Sequence, residues 1–207
     1  MDVHEVALQT AQTAVALFVI IDPLGGLPIF AGLLHSTPPA KRRQAVNMGA
    51  AVAVLILIVF ATVGMRVLAL FNVGLAELRV AGGLMLLIVG LNEMFGFLND
   101  SSCYSDNLGL VPMACPLLAG PGAIVTLMVA VQREAFPASA IIMLGSVGLA
   151  MGASWLILLN TDRLMSLLGG RGSLVLSKLM GIVVTAIGTH FILQGLVDFL
   201  ATSSPAA

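Results

Sequence analysis

Asp22 is the only charged residue between positions 6 and 40. An ionised carboxylate in so long an apolar run is costly to bury, which makes it a functional candidate by default. It can receive an ammonium group or a coupling cation. It can equally cap the N-terminus of a helical segment that begins just after it, where Pro23 and Gly25 favour such a start. Glu93 lies two turns from the inner edge of its own apolar segment, where reaching water is the simpler role and relaying a proton the sharper one. His190 sits near the middle of the last segment and suits an interhelical hydrogen bond or a carried proton. Asn47, Asn92 and Thr126 suit either a polar cavity or packing bonds between helices.

The chemistry these groups support is binding rather than bond-making. The chain contains no HExxH, GxSxG or paired-aspartate motif, so no enzymatic activity is expected. An intramembrane enzyme, the main alternative, would have to use Asp22, His190 or Cys115. Cys103 and Cys115 are the only thiols and show no metal-ligand spacing with histidine, so neither a disulfide nor a metal site is expected. No cofactor is called for, and coupling to a proton or a sodium ion is left open.

The elements that position these groups are membrane helices. Of 207 residues, 59% are hydrophobic and 9% charged, against about 25% charged in soluble domains. The apolar runs are too long and unbroken for alternating barrel strands, so the backbone must satisfy itself as helices. Six spans are predicted, over residues 6–35, 45–66, 79–97, 107–132, 137–160 and 174–198, in one all-α transmembrane domain covering 1–207. The run 6–40 that holds the first is too long for a simple crossing, since 35 residues of helix would reach about 50 Å. The acidic start Met1-Asp2-Val3-His4-Glu5 is unlike a signal peptide, so the first span is expected to be retained. With the N-terminus outside, inner loops hold Lys41, Arg42, Arg43, Arg163 and Arg171, and outer loops hold Arg66, Arg79 and Arg133. The excess of inner cations predicts both termini outside. A net charge of -1 argues against a nucleic-acid partner. The expected partners are the lipid bilayer and a small-molecule substrate, with a homo-oligomer left open.

Asp22-Pro23-Leu24-Gly25-Gly26-Leu27-Pro28 recurs 93 positions later as Cys115-Pro116-Leu117-Leu118-Ala119-Gly120-Pro121, followed by Gly122. Gly83 and Gly90 correspond to Gly181 and Gly188 at an offset of 98, and Arg66 to Arg163 at 97. This ordered correspondence predicts two repeats, about 1–98 and 99–207, of three helices each. Three spans per copy make the repeats inverted, a transporter plan with its substrate site at the repeat interface near the midplane. Pro23 and Pro116 end one helical segment, the glycines permit an unwound connection, and Pro28 and Pro121 suit the first turn of the next. The new half-helices are expected to break the first and fourth spans at 23–27 and 116–120. Their starts would offer the N–H groups of Gly25, Gly26, Leu27, Gly120 and Gly122 to a buried carboxylate. Glycines 82, 83, 145, 148 and 152 are expected to let helices approach closely, with Gly148 and Gly152 as a small-xxx-small pair.

At Ile21-Asp22-Pro23-Leu24-Gly25-Gly26-Leu27-Pro28-Ile29-Phe30, at Arg79-Val80-Ala81-Gly82-Gly83, and at Val111-Pro112-Met113-Ala114-Cys115-Pro116-Leu117-Leu118-Ala119-Gly120-Pro121-Gly122-Ala123-Ile124, the chain resembles the MarC family of integral membrane proteins. That family includes proteins described as small neutral amino acid transporters. The resemblance covers nearly the whole chain and implies a six-span bundle in a prokaryotic inner membrane. It also implies transport of glycine, alanine or similar amino acids. Gly26 stands where a small polar residue is common, and Cys115 where a larger apolar one is common, which bears on the polarity and volume of the pocket.

Overall fold

The structure, a computed structural model, describes residues 3–35, 38–96, 118–132 and 136–203. Among these there are seven helices and no strand: α1 Val3–Ile21, α2 Leu27–His35, α3 Pro39–Leu70, α4 Leu75–Phe95, α5 Pro121–Gln132, α6 Ala138–Leu159 and α7 Thr161–Ser203. Five of them (α1, α3, α4, α6 and α7) are long and apolar enough to cross a bilayer. The first predicted span is split between α1 and α2. Of the fourth, only Leu118 onward is described, so Cys115, Pro116 and Leu117, where the second break would start, lie outside the described residues.

Two helices depart from their predicted bounds for identifiable reasons. Helix α3 starts at Pro39 rather than 45, because proline at the first helical position loses nothing by lacking an N–H. Lys41, Arg42 and Arg43 are thus its first turn, not a loop. Helix α7 starts at Thr161 rather than 174, with one non-helical residue, Gly169, at φ 64 and ψ 170. The glycine cluster 169–172 was expected to form a loop. Glycine reaches left-handed φ without a Cβ clash, so a single residue suffices to bend the chain and helix resumes at once.

Helix α1 packs along α6, α3 lies against α5 and α6, α2 leans on α7, and α5 leans on α4. Leu17, Leu57, Leu127, Met128, Ile142 and Val147 are buried where these helices meet. Large apolar side chains also cover the outside, among them Leu55, Leu144, Leu149, Leu179 and Val197. Such a surface is stable against hydrocarbon and not against water.

The longest interface joins α4 and α7. Gly195 backs onto Ala76, Gly188 onto Gly83, and Gly181 onto Gly90, so the two helices run in opposite directions. A Cβ on Gly83 would lie 2.6 Å from the Gly188 carbonyl oxygen, and one on Gly188 2.7 Å from that of Gly83. Backbone touches backbone here, as small residues allow within membranes. An ion pair between Arg79 and Asp198 closes one end of the seam, and a 3.3 Å pair between Arg42 and Asp162 ties the start of α3 to that of α7. The expectation for Gly148 and Gly152 is corrected. A Cβ on either would meet nothing within 4 Å, whereas Gly145 does sit tightly, with its Cβ position 2.7 Å from Thr10 Cγ2.

A candidate site at the broken first span

Helix α1 ends when Asp22, whose N–H still reaches the Phe18 carbonyl at 3.1 Å, turns to a left-handed φ of 47°. Aspartate is one of the few non-glycine residues that visit this region, because its short side chain bonds locally. The side chain does so here: Asp22 Oδ1 accepts the Gly25 N–H at 2.9 Å. The Gly26 N–H donates to the Asp22 carbonyl at 3.1 Å and the Leu27 N–H to that of Leu24 at 3.3 Å. Helix α2 then begins at Leu27, with Pro28 in its first turn. The break at 22–26 therefore matches the expected one.

Its internal wiring differs from the expectation. The Gly25, Gly26 and Leu27 N–H groups, foreseen as donors to a substrate carboxylate, are all engaged by Asp22 and Leu24. The Asp22 side chain closes the turn that leads into α2, since Gly25 lies two residues before that helix begins. The glycines serve sterically rather than through unusual φ. A Cβ on Gly25 would fall 2.3 Å from Asp22 Oδ2.

Asp22 is 7% exposed and Pro23, Gly25, Gly26 and Leu27 are buried around it. Only one of its carboxylate oxygens is used by this turn; Oδ2 is buried without a hydrogen-bond partner. Against it lies the carboxyl group of Glu93 from α4, whose Oε2 is likewise buried and unpartnered. Glu93 itself is half-buried, with this oxygen turned inward. Glu93 shares the seam face of α4 with Gly83 and Gly90, and its Cβ lies 3.0 Å from where a Cβ on Gly181 would be. The spacing 83, 90, 93 on one helical face is the sequence signal that points it inward.

The remaining candidates divide. Gly122 is buried against Leu86 of α4, its Cβ position 2.5 Å from Leu86 Cδ2. Gly120 is half-buried and Pro121, first in α5, is exposed. The Ile124 N–H reaches the Gly120 carbonyl at 3.1 Å, so Gly122 and Ala123 present the first-turn N–H groups that precede any intrahelical bond. Thr126 is buried but donates to the Gly122 carbonyl of its own helix at 2.8 Å. Asn47 is exposed and accepts from Trp155 Nε1 at 2.8 Å, a packing bond between α3 and α6 away from the break. Asn92 is half-buried beside Glu93, and His190 is exposed on α7.

The break thus sets two buried carboxylate oxygens without hydrogen-bond partners inside an apolar bundle. It suits a group carrying positive charge. Among the described residues no cluster of three or more His, Cys, Asp or Glu is placed to hold a metal ion.

Residues 8–200 match the family described as MarC family integral membrane protein. A UPF0056 membrane protein of Methanocaldococcus jannaschii is 30% identical, over 87% of this chain and 92% of its own. The UPF0056 inner membrane protein YhgN of Escherichia coli K12 is 31% identical, over 89% of this chain and 94% of its own. A UPF0056 membrane protein of Pyrococcus abyssi is 29% identical, over 93% and 96%. No solved structure shows significant similarity. With a match of this extent, and with its apolar helices broken at Asp22, the chain belongs to the MarC family of integral membrane proteins.

Proposed function

We propose that this protein is a secondary transporter carrying small neutral amino acids such as glycine and alanine across a prokaryotic cytoplasmic membrane by alternating access. The observation that carries the reading is the buried Asp22 at a helix break within the bundle, with one carboxylate oxygen open. A charged group kept at such a place without a structural partner for both oxygens is best explained by a ligand. The substrate ammonium sits on Asp22 Oδ2, and the substrate carboxylate faces the first-turn N–H groups of Gly122 and Ala123. Leu27 and Leu86 leave no partner for a polar side chain, whose unpaired burial costs roughly 2–7 kcal/mol. Glutamate is therefore excluded as a substrate.

The same reading takes the chain as an inverted pair of three-helix repeats, for which the glycine contacts give support. Gly83 and Gly90 correspond in sequence to Gly181 and Gly188, yet Gly83 touches Gly188 and Gly90 touches Gly181. Two copies related by a two-fold axis through the α4–α7 seam would meet in this crossed manner. Likewise α2 leans on α7 as its counterpart α5 leans on α4.

Counterflow of labelled alanine in proteoliposomes tests the proposal. Asp22→Asn is the informative variant, since asparagine accepts left-handed φ and still caps Gly25 while losing the charge. A charge-assisted bond contributes about 1.5–3 kcal/mol, so alanine exchange should fall by roughly tenfold or more in a variant that inserts normally. Undiminished exchange in Asp22→Asn, or none in the wild type, would refute the assignment.

Both termini are placed outside in this scheme, with the Lys41-Arg42-Arg43 turn in the cytoplasm. In a cysteine-free background, Lys41→Cys should resist an impermeant maleimide in intact cells and react in inverted vesicles. The opposite pattern would reverse the orientation.

A further inference from the structure

Two carboxyl groups meet at the break, but a zwitterionic amino acid brings one ammonium. Asp22 is buried, and its Oδ2 has no partner. The Glu93 carboxyl against it also has an unpartnered buried oxygen. Two negative charges in contact away from water repel strongly. With both ionised, no hydrogen lies between them to form a bond. One proton turns the contact into an O–H···O bond and leaves a single negative charge, which one ammonium balances.

Among the described residues no other group supplies that charge. Helices α5 and α6 contain no titratable side chain, and α2 has only His35, at its far end. On α1 the others are His4 and Glu5, and on α3 Lys41, Arg42, Arg43 and Arg66, remote from the break along their helices. On α4, Glu77 and Arg79 lie at the opposite end, with Arg79 paired to Asp198. On α7, Asp162 pairs with Arg42, Arg163 and Arg171 lie toward its start, and Lys178 and His190 are exposed. The residue that α7 sets opposite Glu93 is Gly181, which has no side chain. A metal cation would need a fuller shell of oxygens than two carboxyls offer, whereas a proton needs no more.

We propose that Asp22 and Glu93 together hold one proton, acquired on the side from which the substrate enters and released with it, so that each amino acid moves with one H+. The inference rests on the transport reading above. It is specific to the first half of the chain: the positions corresponding to Asp22 and Glu93 in the second half are Cys115 and Phe191, so the bundle carries one such pair and one proton per cycle.

The test uses the full-length protein in proteoliposomes with a trapped pH-sensitive dye. Adding alanine outside, with no imposed gradient and the membrane potential clamped, should acidify the lumen by about one proton per alanine taken up. Replacing sodium by choline should change neither quantity, and Glu93→Gln should abolish the acidification. Alanine uptake without acidification, or uptake that requires sodium, would overturn the proton assignment while leaving transport standing. Absence of both uptake and counterflow would instead overturn the transport reading. In that case infrared spectroscopy of the protein in lipid still decides on the pair. A protonated-carboxyl stretch lost in both Asp22→Asn and Glu93→Gln supports the shared proton, and no such band removes it.

Discussion

Gly25→Ala should abolish alanine uptake in proteoliposomes, while Gly26→Ala, one position along, should retain most of it. Neither glycine has positive φ among the residues that do, so backbone strain does not distinguish them. Space does. A Cβ at position 25 would lie 2.3 Å from Asp22 Oδ2, 2.8 Å from Cγ and 3.0 Å from Oδ1. The carboxyl group must swing away, giving up both the Gly25 N–H bond and its place beside Glu93. Losing the Gly25 bond costs about 1.5–3 kcal/mol of local stability, but the larger effect is on binding, because the group that meets the ammonium has moved. At position 26 the nearest atoms would be the Asp22 carbonyl oxygen at 3.4 Å and Phe30 at 3.5 Å, close to ordinary contact. Equal activity of the two variants would show that the Asp22 carboxylate does not need its observed position.

The same residues show what the sequence could and could not disclose. The break was legible because two prolines and two glycines cannot continue a helix without interruption. Which residue would take the left-handed conformation was not, because aspartate and glycine are both able to, and the choice fell to the side chain that could bond to Gly25. The approach of Glu93 to Asp22 depends on how α4 is rotated against α1, a tertiary fact that reaches the sequence only as the shared face of 83, 90 and 93. Gly83, Gly90, Gly181 and Gly188 could be matched as equivalent positions, but their crossed contact follows from the antiparallel packing of α4 and α7. Gly148 and Gly152 show the reverse error: small residues four apart permit close approach without requiring it. The helix seam was real, but it lay elsewhere.

Gly188→Ala should lower the apparent Tm of the detergent-solubilised protein, and Gly83→Ala should do the same, by on the order of 5 °C each for a loss of about 1–3 kcal/mol. The added methyl on Gly188 meets the Gly83 carbonyl oxygen and the Leu87 nitrogen, both at 2.7 Å. These are backbone atoms inside a regular helix, so no rotamer change relieves the overlap and the helices must separate. Separation would spread along the seam, since Gly90, Gly181 and Gly195 make the same kind of contact. Gly148→Ala and Gly152→Ala are the internal controls, because nothing stands within 4 Å of either new methyl. Melting curves recorded by light scattering in one detergent would suffice. A Gly188→Ala protein as stable as wild type would mean that the seam is looser than its geometry indicates.

Position 22 must accept a left-handed backbone and offer an oxygen to Gly25, requirements that aspartate and asparagine both meet. Their codons differ by a single base. A mutation one base away at this position therefore spares the fold while removing the charge, and quality control that detects misfolding has nothing to act on. Selection against that change can operate only through the work the carboxylate does.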